Sequence, residues 1–408
     1  MNFQEFIVEQ KNTHMTHIED KVLYGGVNGT REAILALRSL RDMLKGEKDG
    51  RVSVKWDGAP AVFAGIDPRD GRFFVAKKGI FAKSPKVYKS DADVDADTSG
   101  DLATKLKLAL KHLPSLGIKG VVQGDFLFSS DDVKTEKIKG QNYVTFHPNT
   151  ILYAVPADSD AAKEIQRAKI GIVWHTTYTG DSFESMQASY GVDVSKFTNN
   201  NKVWSQDAML RDLTSVTMSK EETDAVNGYL SQAGKLFNKV SGTTLRQLEA
   251  NQTLAQHIEQ FNNTYVRKGA IIGNTSAHTR NLVTWIKKKY QKEIDARKTE
   301  KGKATQQKKL DDLLAFFSTQ NKRSLKNIFD LQKAIVMAKL KLINSLNKLS
   351  KVDTFLKTTK GYKVTGEEGY VAIDKLGGDA VKIVDRMEFS YANFSPDILK
   401  GWDKPGRN

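Results

Sequence analysis

Strand-like patterning begins near residue 51 of this chain, gives way near residue 194, and resumes near residue 361; about 165 residues of helical pattern lie between. A sheet pattern that is broken and then resumed makes a core only if its two parts meet in space. The chain therefore reads as one β-rich core carrying a helical insertion, not as two domains in series.

The strand signals are specific. VSVKW, AVFAGI and RFFVAKK are short β-branched or aromatic runs, and Asp67-Pro68-Arg69-Asp70-Gly71 between the last two is a turn signal. GVVQGDFLF, NTILYAV and IGIVWHTTY continue the pattern, with one amphipathic helix around Leu102–Leu113. GYVAI and AVKIV follow the helical stretch. These features predict an α+β fold built on antiparallel sheet, with a core at 51–194 and 359–408 and a basic helical insertion at 195–358. Residues 1–50 form a helical segment packing on the core. There Thr30 is placed to cap a helix through Ala33, Ile34, Leu37, Leu40 and Leu44, and Gly25, Gly26 and Gly29 read as a turn. In the insertion, Ile328, Leu331, Ile335, Ala338 and Leu342, with Leu349 a heptad on, make an apolar stripe that reads as packing surface.

A 408-residue chain can bury a core without covalent staples, and it has no cysteine, so disulfides, Cys-zinc sites and a thiol nucleophile are excluded. The seven histidines are dispersed, which argues against zinc. No run of 18 apolar residues occurs, and MNFQEFIVEQKN carries Glu5 and Glu9 and lacks leader character. A cytoplasmic location is expected, with no membrane partner.

Lys+Arg number 63 against 48 Asp+Glu, a net charge of +15. From Trp285 to Lys360 there are 20 basic and 7 acidic residues, so 20 − 7 = 13 of that excess sits in one stretch. Lys287, Lys288, Lys289, Lys292, Arg297 and Lys298 lie close together with Trp285 and Tyr290 interleaved. Such a run can neutralise phosphates while a ring stacks on a base; the alternative is a solvated helix face.

Lys55 ends a strand and is followed by Asp57 and Gly58. A neutral lysine can attack phosphorus, a glycine permits close approach of a nucleotide, and a carboxylate two residues on can orient the lysine or a metal. Asp125 in an apolar strand and Glu367-Glu368 before another are costly unless partnered, and Lys382 stands alone in a β-branched run. His175 in IGIVWHTTY reads as a structural histidine near these residues.

Lys55-Trp-Asp-Gly58 resembles motif I of the covalent nucleotidyltransferase superfamily, which comprises ATP-dependent DNA ligases, RNA ligases and capping enzymes. Gly124-Asp125-Phe126 is similar to motif III, Glu368-Gly-Tyr-Val371 to motif IV and Ala380-Val-Lys382-Ile-Val384 to motif V. The whole chain also resembles ligase-like proteins of tailed phages, which would place it in the host cytoplasm. The resemblance implies an antiparallel-sheet nucleotidyltransferase (ATP-grasp-like ligase) core that uses ATP and Mg2+ or Mn2+. It implies that Lys55 becomes lysyl-AMP, that AMP passes to a 5′-phosphate, and that a 3′-hydroxyl displaces it to join RNA or DNA ends. Asp125 would hold ribose or metal, Glu368 the metal, and Lys382 the α-phosphate, with Lys77 or Lys78 as a further basic group. Tyr153 or Phe146 would stack on adenine.

Four departures stand out. Pro60 replaces an arginine often found there, Asp125 is one methylene shorter than the usual Glu, and Val384 replaces a second motif V lysine, for which Arg386 is the candidate substitute. Only 26 residues follow Lys382, too few for a C-terminal OB-fold, which directs the expectation to RNA ligase over DNA ligase. A non-catalytic nucleic-acid-binding or virion-associated protein with a degenerate ligase fold is the alternative.

Overall fold

The computed structural model of the chain describes residues 16–47, 50–210, 213, 218–350, 352–374 and 380–402. The N-terminal stretch read against a leader, residues 1–12, lies outside them. A single turn, α1 (Lys21–Tyr24), leads into α2 (Gly26–Leu44). Then come β1 (Gly50–Lys55), β2 (Ala61–Ile66), β3 (Phe73–Ala76), α3 (Asp91–Asp97) and α4 (Gly100–His112). β4 (Val121–Ser129), β5 (Lys134–Ile138), β6 (Gln141–Phe146) and β7 (Ile151–Pro156) precede α5 (Asp160–Arg167). β8 (Ile170–Thr179), β9 (Gln187–Tyr190), β10 (Val203–Asp207) and β11 (Met209–Leu210) close this part. The helical module is α6 (Lys220–Lys239), α7 (Gly242–Ala250), α8 (Gln252–Val266), α9 (Thr275–Asp295), α10 (Glu300–Leu314) and α11 (Thr319–Asn347). The chain returns through β12 (Asp353–Thr358), β13 (Gly361–Val364), β14 (Gly369–Asp374), β15 (Ala380–Ile383) and α12 (Arg386–Phe394).

Helices and mainly antiparallel sheets are combined, as an α+β reading requires. The strands form three sheets: β11-β1-β14-β15; β10-β8-β4-β2-β3, with β9 also on β8; and β13-β12-β7-β6-β5. In the first, β1 from the N-terminal half pairs with β14 from the far side of the helical module, and in the third β7 pairs with β12. The two parts of the strand pattern do meet.

The boundaries differ from those drawn from sequence. β10 pairs in parallel with β8 and β11 pairs with β1, so sheet extends to Leu210, and β12 begins at Asp353. The helical elements therefore run from Lys220 to Asn347. VWSQD and ML lack the alternation that marks a strand, and pairing with an existing edge supplies what local pattern does not.

Each helix of the module starts on a side-chain cap that its sequence announces: Ser219, Ser241, Asn251, Asn274, Thr299 and Ser318 each accept a backbone N–H of the first turn. The α11 stripe is inward as read. Ile328, Leu331, Ile335, Ala338 and Leu342 are all fully buried, and each large aliphatic among them contributes about 1.5–3 kcal/mol.

Residues 21–44 join that module: α2 packs on α6, α7 and α11 and touches the core sheet through β14. Thr30 is not its cap. The helix starts at Gly26, and the Thr30 hydroxyl donates to the Gly26 carbonyl at 2.7 Å from within the second turn. Gly29 marks a close approach of α1 and α2, since a Cβ there would stand 2.3 Å from the Lys21 carbonyl oxygen. The glycines make a helix–helix joint. Among the described residues, no helix is long and apolar enough to cross a membrane.

Candidate active site between two sheets

Lys55 is the last residue of β1 and lies opposite Gly369, the first of β14. That register brings Glu368 alongside, and the Lys55 ammonium forms an ion pair with its carboxylate. One register step further, Val371 faces Ser53 on one side and Lys382 of β15 on the other, so Lys55 and Lys382 belong to the same face of the sheet. Two lysines and a carboxylate thus converge from segments more than three hundred residues apart.

Residues 56–60 then cross from the first sheet to the second. Gly58 makes the crossing possible: a Cβ there would lie 2.6 Å from the Cβ of Asp125. Asp125 sits in β4 between Ala61 of β2 and Val173 of β8. His175, on β8, approaches it with Nε2 at 3.7 Å from Oδ2, while Nδ1 meets the Thr176 hydroxyl at 2.8 Å.

The electrostatics centre on Lys55. Burial pushes the Asp125 carboxyl up to about 7, and Lys55 and Lys78 pull against that shift. Burial lowers His175 to about 4, helped by Lys55 and then Lys78, so its ring is neutral at pH 7. Burial also raises Glu368 against the pull of Lys55. Lys382 is lowered by burial first and by the charge of Lys55 second. Of the two candidate lysines after β3, Lys78 acts on this group, whereas Lys77 is tied to Asp97 at 2.9 Å.

Three sequence assignments are corrected. Asp57 does not orient the lysine. Only 4 % exposed, it accepts from Asn149 Nδ2, Thr150 N and Thr150 Oγ1 at 2.7 Å and from Ile151 N at 2.9 Å. It fastens the crossover to the start of β7. Tyr153 and Phe146 offer no face to a base: both are buried and stacked on each other at 5.4 Å, and the Tyr153 hydroxyl accepts the Asp57 backbone N–H at 2.7 Å. Tyr153 is the wall behind the crossover, with its ring 4.8 Å from that of Trp56. Arg386 does not replace the missing motif V lysine. It opens α12 and turns to Asp20 at 2.6 Å and Asn263 at 2.5 Å.

Asn149 and Thr150 carry no sequence signal, because their importance depends on a carboxylate 92 and 93 residues earlier. Lys105 is a further addition. Its ammonium reaches the Ala59 carbonyl at 3.4 Å and lies 5.8 Å from the centre of the Phe126 ring, beside the crossover.

On the helical module, Lys287, Lys288, Lys292, Arg297 and Lys298 are exposed. None of them has an ion-pair partner among the described residues. Lys289 is half-buried and bonds Gln260 at 2.8 Å. Tyr290 is buried against His257, which corrects its reading as a stacking platform, whereas Trp285 is half-buried, packs on Phe261 and has the Lys289 ammonium 5.4 Å from its ring centre.

No group of three or more His, Asp or Glu side chains is spaced to hold a metal among the described residues. Asp125 and Glu368 remain as two carboxylates in one electrostatic group, a donor set that suits Mg2+ when phosphate oxygens and water complete the shell.

A model of a family of unknown function, DUF6267, matches residues 12–397, which takes in every residue of this site. The chain belongs to the DUF6267 family. No curated protein and no solved structure matches it. For this DUF6267 chain, then, any functional reading rests on the site itself: the Lys55 amine, further cations beside it, and two carboxylates within their field.

Proposed function

We infer that the protein is an ATP-dependent polynucleotide ligase, with RNA ends as its preferred acceptors, acting through AMP linked to Lys55. The observation that carries this is the meeting of Lys55, Glu368 and Lys382 on one sheet with Asp125 on the next. Four charged side chains from segments distant in sequence share one field, and burial alone would not favour such a gathering.

In the proposed step the Lys55 ammonium gives its proton to solvent, the neutral amine attacks the α-phosphorus of ATP, and the extra proton on the newly bonded nitrogen also passes to solvent. An N–P bond forms, the bond to the bridging oxygen breaks, and pyrophosphate leaves with the electron pair. Glu368 releases Lys55 as the phosphates enter. Lys382 and Lys78 face the negative charge that develops. Asp125 and Glu368 would hold a divalent cation, which when bound neutralises phosphate charge. The exposed cations of α9 and the loop after it would meet the nucleic-acid backbone, and the buried Tyr290 ring takes no part in that contact. RNA ends are favoured over DNA nicks by sequence resemblance alone.

A second reading has its own support. Arg386 is engaged elsewhere and Val384 stands where a lysine is usual, which fits a nucleic-acid-binding protein that keeps a ligase-like frame without adenylyl transfer. Incubation with α-labelled ATP and Mg2+ separates the two. Covalent label that disappears in Lys55→Ala is the result expected of a ligase; salt-sensitive RNA binding with no label at any pH is the result expected of the alternative.

A further inference from the structure

The last helix of the chain buries the wrong residues for its own packing. α12 carries four large apolar side chains, Met387, Phe389, Tyr391 and Phe394, yet the residues it buries are Ser390 and Ala392. Ala392 packs against Leu356 of β12 and Ile398. Met387 and Phe389 are half-buried, while Tyr391 is 38 % exposed and Phe394 is 71 % exposed. A single exposed apolar residue is ordinary, but a helix that hides its small residues and shows its rings points to a partner. Tyr391 and Phe394 are three residues apart, which makes them neighbours on one stripe of the helix.

Cations stand beside those rings. Lys363 lies opposite Leu356 in the β12–β13 hairpin, and its ammonium is 4.4 Å from the centre of the Tyr391 ring. Lys360 is at the tip of the same hairpin, where the Thr359 N–H donates to the carbonyl of Asp397 at 3.2 Å, three residues beyond Phe394. Both lysines are exposed, and neither has an ion-pair partner among the described residues. Two carboxylates share this end of the molecule: Glu388, which accepts from the Thr365 hydroxyl and the Gly366 N–H, and the exposed Asp397. Net charge therefore does not select the ligand; the pairing of ring with ammonium does. A protein surface laid over Tyr391 would bury the Lys363 ammonium at a cost, whereas a single-stranded nucleic acid brings a base to the ring and a phosphate to the ammonium together. The bond from Gly366 to Glu388 also ties α12 to the chain two residues before Glu368, so the rings adjoin the candidate site.

We propose that Tyr391 and Phe394, flanked by Lys363 and Lys360, form a platform on which unpaired bases of a single-stranded nucleic acid stack beside the candidate site. The inference rests on the polynucleotide reading of that site but not on adenylyl transfer, which a binding measurement leaves aside.

The test is fluorescence anisotropy of the full chain with labelled RNA and DNA single strands of about 12 nucleotides, each beside an abasic strand of the same length and charge. Intact strands are expected to bind about fivefold or more tighter than abasic ones. The double variant Tyr391→Leu, Phe394→Leu keeps apolar surface but loses both rings. It is expected to lose that preference while its affinity for the abasic strand and its melting temperature stay as in wild type. Tyr391→Phe, which keeps the ring, is expected to keep the preference. Equal binding of intact and abasic strands, or an unchanged preference in the folded double variant, would overturn the platform and leave the ligase reading to its own labelling assay. Self-association of the wild type that the double variant loses, with the preference unchanged, would assign the face to a second copy instead. Absence of binding to every strand would overturn the platform and the polynucleotide reading together.

Discussion

The strands and the helical module dispose of their charges in opposite ways. Between the sheets, Asp57, Asp125, Glu367 and Glu368 lie on or beside strands in buried or half-buried positions, and three of the four carboxyls are raised by burial. In the module, apolar stripes fill the interior and Lys287, Lys288, Lys292, Arg297 and Lys298 stand in solvent. An exposed lysine costs a helix almost nothing, so a cluster of them speaks of net field and partners. A carboxyl inside a sheet is costly, so a cluster of those speaks of a specific task. Lys339 is the module's exception, buried on α11 and paired with Glu19, and it marks where the N-terminal segment is fastened.

If that contrast is right, substitutions in the two regions must differ in kind. The largest effect is expected at Lys55. Lys55→Ala should reduce AMP transfer from ATP by ~10³-fold or more, read by covalent label, with little change in thermal stability. Glu368→Gln should lower the same signal by ~10²-fold, because its charge is felt by both lysines. Asp57→Ala is a stability mutation. It leaves two donors of Thr150, the Ile151 N–H that opens β7 and the Asn149 side-chain amide without their acceptor, and should cost about 3–5 kcal/mol in denaturant unfolding. Equal loss of stability in Lys55→Ala and Asp57→Ala would break the distinction between task and fastening.

Smaller effects sharpen the other half. Reversing Lys287, Lys288 and Lys292 to Glu should weaken RNA binding and flatten its dependence on log salt by ~2 units on single strands, while stability stays within about 0.5 kcal/mol. The smallest effect is the pH response of Asp125. Its folded pKa of about 7 lies above its ordinary value, so the folded state holds the proton more tightly. Stability linked to this group is complete at pH below about 4 and declines as pH rises toward 7, levelling above. Asp125→Asn should therefore raise the melting temperature relative to wild type at pH 8 and leave it near wild type at pH 4.

Much of the frame and the core of the site were legible in residues. Lys382 and Asp125 are charged positions inside β-branched or aromatic runs, and Lys55 and Glu368 adjoin such runs, which marks all four in the sequence. The helix caps and the α11 stripe obey local rules. What escaped depends on partners far along the chain. Asp57 looked like a neighbour of Lys55, but its partners are Asn149 and Thr150. Arg386 looked like a spare motif V cation, but Asp20 is 366 residues away and takes it. Tyr153 looked like a ring for a base because nothing local says that Phe146 and Trp56 enclose it. Tyr290 obeys a local rule as well: Leu282, Ile286, Tyr290 and Ile294 recur every four residues, and that period alone puts the ring inside.

The central claim is that the Lys55 side chain is where this protein becomes covalently joined to nucleotide. Peptide mapping by mass spectrometry after incubation with ATP and Mg2+ tests it most directly. The account predicts one AMP on the peptide containing Lys55 and none when Lys55→Arg is treated in the same way. An unmodified Lys55 peptide in protein that binds ATP, or AMP carried on another residue, would contradict it.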